Sequence, residues 1–390
     1  MRIWTKEFIM VVLMSLFSGC AANMTYPLIT KYTLTITPDL SVASTVAGLM
    51  SLSSLVICPF AGLITDRFNQ KRILQISSIF YAAVLFSHQL ATNIPMLVFM
   101  RLLVGIFFSI NSVTSTAFST NFIPKQRLAE GLGYAALANI VASAAGPAIG
   151  MKLVEISGYN LVFIVASICA LSCMVMVTIL PYEGRKQERK NVKFSLGSLM
   201  SVEYTDFMLI AALLSMGNSL VSTYLALIGD ERGISNISLF FTVYSLMMVF
   251  LRPMVGKLQD KMGIYVIMIP AILFASMGIA LIGVGKTLII MLAASIFKAA
   301  GQGSGTPSLS AEVIRKLGKD KSGVATSTIM IGMNIGNAIG PMLSGLVVKQ
   351  LGYRNLFVGF AVVSALLNYA LLLFRYSRDR KNASATEESL

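Results

Sequence analysis

Twelve long apolar runs follow one another along this chain of 390 residues, and they constrain its fold more than any other feature. Each run is as long as the ~20 apolar residues that cross the ~30 Å hydrocarbon core of a bilayer as a helix. A segment in lipid must satisfy its backbone internally, and these runs are too long for barrel strands, so they predict helices. The predicted spans cover residues 8–30, 41–64, 73–92, 94–119, 129–153, 159–180, 206–229, 237–258, 264–285, 288–311, 323–348 and 355–375.

Composition agrees with a membrane protein. Apolar residues make up 56% of the chain, and charged residues make up 12%, about half the usual quarter of a soluble protein. A soluble enzyme, a secreted disulfide scaffold and a disordered protein are therefore disfavoured. No nucleophile–base set or metal cluster is visible in the sequence, so we expect no enzyme, no cofactor and no metal. The partner that the composition predicts is the lipid bilayer.

The basic residues predict the orientation of the chain in the membrane. With the N-terminus inside, 22 of the 31 Lys and Arg lie in cytoplasmic segments and 6 lie in external loops. This bias is the positive-inside pattern, so we expect a multi-pass protein of the cell membrane with both termini cytoplasmic. The formal net charge of +14 then orients the protein, and nucleic acid is not an expected partner.

The chain repeats itself on the two sides of one long polar loop, residues 181–204. The matching motifs share a single offset of 194 residues; they pair Gly62 with Gly256, Asp66 with Asp260, Gly146-Pro147 with Gly340-Pro341, and Gly158-Tyr159 with Gly352-Tyr353. We therefore predict two six-span halves, residues 1–180 and 205–378, with a linker between them and a cytoplasmic tail at 379–390. Paired halves around a midplane site are typical of transporters that alternate access.

The loop between spans 2 and 3 resembles a signature of the major facilitator superfamily, Gly-x-Leu-x-Asp-Arg-x-Gly-Arg-Lys/Arg, and the resemblance extends over nearly the whole chain. Asn69 replaces the second glycine and Gln70 the arginine. Because Asn tolerates a left-handed turn better than most residues, we expect the turn to be kept. The resemblance implies an all-α membrane fold of twelve helices in two pseudo-symmetric halves.

The same resemblance implies a conformational latch. Its candidate residues are Gly62, Asp66, Arg67, Lys71, Arg72, Gly256 and Asp260. We expect the glycines to allow a close approach or a tight exit, the carboxylate to face a helix N-terminus, and the basic side chains to stay near anionic headgroups. The alternative is a solvated loop that only sets topology.

Small residues at positions 142, 146 and 150 of span 5 form a ladder at helical spacing, which favours close helix packing. The segment Gly146-Pro147-x-x-Gly150 resembles the antiporter signature of exporters in the superfamily. The resemblance implies a drug/proton antiporter-like branch. The alternative is generic packing of small residues.

Charges within spans are expensive and often functional. Arg101 lies in span 4, where Arg101-x-x-x-Gly105 resembles a family motif linked to proton transfer, and Lys298 lies near the middle of span 10. We expect a coupling or substrate role, with a structural hydrogen-bond anchor as the alternative for Arg101. All 17 acidic residues lie in loops or at span ends, so the cavity should favour anionic, zwitterionic or neutral solutes.

Other polar residues within spans are candidate solute contacts, although each one alone is typical of an interhelical hydrogen bond. They are Asn23, Tyr26, Asn111, Asn139, Asn218, Tyr224, Tyr244, Gln302, Asn334 and Asn337. His88, near the outer end of span 3, is expected at the membrane interface.

These observations predict a monomeric secondary active transporter that exports small organic solutes by rocking of its halves. Proton antiport is implied by the resemblance. The first alternative is an uptake symporter or facilitator for a sugar, osmolyte or organic acid, which the Gly-Pro motif disfavours. An alternative of another class is a non-transporting membrane sensor.

Overall fold

The computed structural model describes residues 4–124, 127–182, 200–318 and 322–387. Within these ranges the side chains of residues 66, 128–130, 132, 253, 322–323 and 381–387 are outside the description. The regular structure of the described ranges is entirely helical. The predicted all-α class is confirmed.

Eleven α-helices carry the described part of the chain. They are α1 (Lys6–Thr25), α2 (Ile29–Leu34), α3 (Leu40–Arg67), α4 (Gln70–Ser87), α5 (Ile94–Ser119), α6 (Leu128–Ile179), α7 (Thr205–Glu231), α8 (Leu239–Met262), α9 (Ile264–Val284), α10 (Leu288–Leu317) and α11 (Ser322–Glu387). Short 3₁₀ turns cover His88–Leu90, Thr120–Phe122 and Val202–Tyr204.

Two of these helices are far longer than one crossing requires. At 52 and 66 residues, α6 and α11 would each measure well over twice the ~30 Å of a hydrocarbon core. Within the described ranges, nine helices are long and apolar enough to span a membrane, or ten if the bent α8 counts as one span. Counting α6 and α11 as two crossings each gives twelve, which is consistent with the predicted number.

The two long helices break at equivalent glycines. Gly158 in α6 has φ 75° and ψ −172°, and Gly352 in α11 has φ 74° and ψ 170°. This region of backbone space is essentially restricted to glycine. The two positions are 194 residues apart, so the repeat seen in the sequence extends to backbone geometry.

The predicted span 8–30 lies within one apolar span, Lys6–Leu34. This span is interrupted locally, since α1 ends at Thr25 and α2 begins at Ile29; Pro27 has no N–H to continue the helical ladder.

One local expectation was wrong. Asn69 does not adopt a left-handed turn. It has φ −64°, and its side chain accepts a hydrogen bond from the N–H of Arg72, which caps α4. Its counterpart Gly263 does have a positive φ, 81°.

The helices pack into two compact units. The first contains α1 to α6 with Ser222–Leu246 and Pro341–Leu346, and the second contains the rest of the C-terminal helices. The core of the first is built around residues such as Leu97, Val104 and Phe163, and that of the second around Phe207, Met268 and Leu309.

Many large apolar side chains remain exposed on the helices. Ile289 is 80% exposed and Phe99 is 62% exposed. Such apolar surface is unfavourable in water and matches the hydrocarbon of a bilayer. The exposed faces therefore agree with a multi-pass membrane protein.

Candidate functional site

The small-residue ladder of α6 packs directly against α1. A Cβ built at Gly146 would lie 2.8 Å from Cβ of Asn23 and 3.0 Å from N of Met24, and one at Gly150 would lie 2.6 Å from the Met24 carbonyl oxygen. The two backbones therefore touch where Pro147 sits inside the helix. This contact needs glycine, and any functional role comes in addition to it.

The same arrangement recurs in the second unit between α11 and α7. A Cβ at Gly332 would lie 2.1 Å from the carbonyl oxygen of Met208, and one at Gly336 would lie 2.0 Å from that of Ala212. Neither backbone atom can move aside without separating the helices. The ladder is thus a pseudo-symmetric packing device of both halves.

Arg101 is buried within the first unit. It lies on α5 with 1% of its surface exposed, and it donates one long hydrogen bond of 3.4 Å to the carbonyl oxygen of Ala47 on α3. Its Nε has no hydrogen-bond partner among the described residues. Tyr26, the residue that ends α1, lies in the same unit.

Lys298 is buried within the second unit, where it is 2% exposed. Its Nζ donates to Oδ1 of Asn218 on α7 at 2.7 Å and to Oε1 of Gln302 on α10 at 3.0 Å. Three predicted site residues therefore meet in one cluster. Both of these acceptors are uncharged amide oxygens, and they hold the amino group of Lys298 between α7 and α10.

Other candidates serve the packing of helices. Asn111 joins three helices, since its Nδ2 donates to Ser78 at 2.7 Å and its Oδ1 accepts from Ser18 at 3.3 Å. Asn23 bonds its own helix at Gly19, and Tyr224 bonds Ser344 at 2.9 Å.

The remaining candidates differ in their surroundings. Asn139 is exposed and bonds its own helix at Ala135. Tyr244 is partly buried and stacks on Phe240. Asn334 and Asn337 are partly buried on α11. Along the described chain, the sequence candidates therefore form two charged centres, at Arg101 and Lys298, rather than one continuous cluster.

The candidate latch residues lie in different surroundings. Asp66 has its side chain outside the described residues, and Arg67, Arg72 and Asp260 are exposed. The expected close approach at the two glycines was wrong: no described atom lies within 4 Å of a Cβ built at Gly62 or Gly256, and both lie inside helices.

Lys71 is also not free to contact headgroups. Its Nζ donates to the carbonyl oxygens of Thr178 at 2.9 Å and Leu180 at 2.8 Å. These are unsatisfied carbonyls at the C-terminal end of α6, where a cation is favoured. Lys71 thus ties the start of α4 to the end of α6.

Sequence reasoning missed a charged cluster at the ends of the C-terminal helices. Arg375, 2% exposed, lies 3.4 Å from Asp206 and 3.0 Å from Asp379, and its guanidinium stacks over the ring of Tyr204 at 4.5 Å. Asp379 also accepts from Tyr265 at 2.7 Å and pairs with Lys316. The i, i+4 spacing of Arg375 and Asp379 was the available signal, but it resembled a solvated tail.

The expectation for His88 was wrong as well. It is 1% exposed, packs against the ring of Phe163 and lies next to Tyr32, whose hydroxyl donates to the His88 carbonyl oxygen at 2.7 Å. Phe163 of α6 and Tyr32 of α2 cover this end of α4, so the ring is enclosed by protein and does not face the interface.

Comparison with known proteins agrees with the helical architecture. The family model described as Major Facilitator Superfamily matches residues 11–297 and 207–389. Multidrug resistance protein 2 of Bacillus subtilis is 25% identical over 81% of this chain and 82% of its own length. Multidrug resistance protein MdtG of Citrobacter koseri is 22% identical over 91% of each chain.

Solved structures share the fold at lower identity. The nucleoside transporter NupG superposes with a TM-score of 0.75 at 14% identity, covering 95% of this chain and 99% of its own. A POT family transporter solved with a thioalcohol-conjugated peptide gives 0.79 at 13% identity, covering 95% and 96%. The family match, the relatives and the helical fold together show that the chain belongs to the Major Facilitator Superfamily of membrane transporters, which are not enzymes.

Proposed function

We propose that this transporter exports small organic solutes in exchange for protons. The observation that carries the direction is the contact of Gly146 and Gly150 with α1, because the Gly-Pro segment at this place resembles the signature of exporters. The names of the relatives support the same direction, since both are called multidrug resistance proteins.

The preferred solutes are anionic, zwitterionic or neutral. Arg101 and Lys298 place a buried positive charge in each unit, 1% and 2% exposed. Arg101 donates to the carbonyl oxygen of Ala47, and Lys298 donates to the amide oxygens of Asn218 and Gln302. A permanent cation approaching either centre meets like charge in a region of low dielectric, where repulsion is poorly screened.

Alternating access then requires that the solute be bound from one side and released on the other. The backbone contact between α1 and α6 and its counterpart between α7 and α11 make each pair move as one body, because the glycines leave no space between the helices. During export the binding site opens to the cytoplasm for loading and to the outside for release, with both termini cytoplasmic.

The test is flux into proteoliposomes that hold the full chain under an imposed pH gradient. An antiporter accumulates solute when the vesicle interior is acid, because outward proton flow drives solute inward. A symporter accumulates solute when the exterior is acid. The panel contains a sulfonated anionic dye, a zwitterionic amino acid, a neutral sugar and a permanent cation.

We expect accumulation of the anion, zwitterion or sugar only with an acid interior. Accumulation only with an acid exterior would show the uptake symporter instead, and a strong preference for the permanent cation would exclude the proposed solute class. Lys298→Gln should reduce the flux about tenfold or more if the buried charge contributes a charged hydrogen bond to the solute. Lys152→Gln is the matched control, because the side chain of Lys152 is 70% exposed and its ion pair is with the exposed carboxylate of Glu155.

A further inference from the structure

Two amide side chains next to Lys298 are turned in one defined direction. Nζ of Lys298 donates to Oδ1 of Asn218 at 2.7 Å and to Oε1 of Gln302 at 3.0 Å. Because each amide presents its oxygen to the amino group, its NH2 group must point away from that group. The outward side of this cluster is therefore made of N–H donors.

The packing of α10 fixes the place of the cluster. Lys298 and Gln302 lie one turn apart on the same face of α10. A Cβ built at Gly278 of α9 would lie 2.6 Å from the backbone N of Lys298, and one built at Gly305 of α10 would lie 2.8 Å from Cδ1 of Leu214 on α7. Helix α10 is thus held between α9 and α7, which gives the three side chains a fixed geometry.

The protein itself does not use the two NH2 groups. Gln302 is 9% exposed, and Asn218 is partly buried. Neither Nε2 of Gln302 nor Nδ2 of Asn218 has a hydrogen bond to a described residue, and neither atom is fully enclosed by the described residues. Since buried polar groups require a partner, both NH2 groups are placed to bind a group that enters beside α7 and α10.

The spacing of these donors matches one carboxylate group. The oxygen and nitrogen of an amide are about 2.3 Å apart. Added to the longer Nζ–oxygen distance of 3.0 Å, this places both amide nitrogens within about 5.3 Å of Nζ of Lys298. The two oxygens of a carboxylate each accept N–H bonds at about 2.8 Å, so one carboxylate can bridge donors at this separation. An ammonium group has no acceptor to offer, and a neutral amide offers one oxygen instead of two.

We propose that Lys298, Asn218 and Gln302 bind the carboxylate of the transported solute, and that the NH2 groups of the two amides select it against the matching amide and against cations. This inference rests on the proposed transport function and narrows the solutes to those that carry a carboxylate. Asn218 and Gln302 are then the residues that determine specificity.

The first experiment measures binding without transport. The thermal unfolding midpoint of the full-length protein in detergent is followed against rising concentrations of acetate, hexanoate or benzoate, and of the matching amides, at constant ionic strength. We expect a saturable rise with at least one carboxylate, because a ligand that binds the folded state stabilises it. Its amide should need an at least about tenfold higher concentration for half of the effect, since a charge-assisted hydrogen bond is lost. Equal responses to every acid and its amide, or no response to any acid, would overturn the proposal.

The variant Asn218→Asp separates binding from a structural role. It keeps an oxygen that accepts from Lys298, but it replaces the NH2 group by a second, negatively charged oxygen. We expect the carboxylate concentration for half of the effect to rise at least about tenfold, and benzamidinium, a planar cation shaped like benzoate, to raise the midpoint instead. Gln302→Glu makes the same change from α10 and should act in the same direction. An unchanged preference for the carboxylate in both variants would mean that the amides only position Lys298, and would reject the inference.

The matched control is Asn355→Asp. Asn355 is exposed on α11, where its Nδ2 donates to the carbonyl oxygen of Leu351 in its own helix at 3.0 Å. The same change from amide to carboxylate should leave the preference for the carboxylate unchanged at this position. A parallel loss in Asn355→Asp would show that any added negative charge repels the anion, which would contradict a site at Asn218 and Gln302.

Flux in proteoliposomes separates this inference from the export function. Of the solute panel above, the zwitterionic amino acid carries a carboxylate, and we expect Asn218→Asp to raise its KM more than it lowers kcat. Carboxylate binding in detergent without any flux driven by an acid interior would reject proton-driven export alone. Accumulation of the neutral sugar with an acid interior, at a KM that Asn218→Asp leaves unchanged, would reject the carboxylate site and leave export standing.

Discussion

At the scale of single residues, glycine contacts decide how closely the helices approach. The Cβ positions at Gly332 and Gly336 fall within 2.1 Å of carbonyl oxygens on α7. Such contacts are with backbone, which cannot rotate away as a side chain can. The sequence predicted a packing ladder from spacing alone, and the geometry adds which helix each glycine touches.

Gly336→Ala should therefore destabilise the protein. The new methyl group would meet the Ala212 carbonyl oxygen at 2.0 Å and N of Met216 at 2.8 Å, and overpacking of this kind costs about 1–3 kcal/mol. We expect a lower thermal unfolding midpoint in detergent. The control is Gly359→Ala on the same helix, where no described atom lies within 4 Å and the better helix propensity of Ala adds about 0.5–1 kcal/mol. Equal shifts in the two variants would contradict the packing argument.

The two buried basic residues also show the limit of what could be predicted from the sequence. Lys298 and Arg101 were correctly singled out as buried charges, because charged residues within apolar runs are conspicuous. Their partners were only partly foreseen: Asn218 and Gln302, which accept from Lys298, were on the sequence's candidate list, but the carbonyl oxygen of Ala47, which accepts from Arg101, was not. That contact depends on how α3 packs against α5, which hydropathy does not encode.

At the scale of elements, the breaks in α6 and α11 turn each long helix into a two-crossing hairpin. Both depend on a glycine with φ near 75° and ψ near 180°. Apolar runs predicted the spans on either side, and the offset of 194 residues predicted that the two breaks correspond. The sharpness of the break follows from the backbone conformation, which the sequence signals only through the glycine.

Gly352→Ala should strain the break in α11. A side chain at φ 74° and ψ 170° costs about 1–3 kcal/mol, because this conformation is restricted to glycine. The unfolding midpoint in detergent should fall below that of the same Gly359→Ala control. A midpoint equal to that of the wild type would mean that the segment adopts another turn.

The cluster around Arg375 fastens the ends of α7, α9, α10 and α11 within the second unit. It has no equivalent in the repeat, since Asp206 and Arg375 correspond by the 194-residue offset to Val12 and Pro181. The first unit uses Lys71 instead, which donates to carbonyls at the end of α6. The helix ends are thus held together by different interactions in the two halves, which the internal repeat of the sequence could not predict.

Arg375→Met should be strongly destabilising. It leaves the buried carboxylate of Asp206, 7% exposed, without its cation, and breaking a buried pair by removing one partner costs about 3–5 kcal/mol. The double variant Arg375→Met with Asp206→Asn should recover part of the unfolding midpoint, because the remaining amide carries no charge. Arg354→Met, at an exposed position of the same helix, should leave the midpoint within about 2 °C.

At the scale of the whole molecule, hydropathy predicted a series of membrane-spanning helices because lipid admits few alternatives, and the described ranges contain nine or ten helices that are long and apolar enough. One loop and one Gly-Pro segment of the sequence resembled those of the family, and the match to the family model confirms the family. Orientation rests on a different quantity, the distribution of 31 basic residues between the two sides. It makes a prediction about the intact cell that neither the fold nor the family match provides.

The linker at 181–204 should face the cytoplasm, and the loop between α7 and α8 should face outward. In a variant whose four native cysteines (Cys20, Cys58, Cys169 and Cys173) are replaced by serine, a single cysteine is introduced at Gln187 or at Ser235, which is exposed. A membrane-impermeant maleimide added to intact cells should label Ser235→Cys and leave Gln187→Cys unlabelled until the membrane is permeabilised. The reverse pattern would invert the topology, and with it the direction in which the proton gradient drives the solute. Because the positive-inside bias acts during insertion, moving the basic cluster of the linker should perturb this labelling, whereas neutral substitutions there should not.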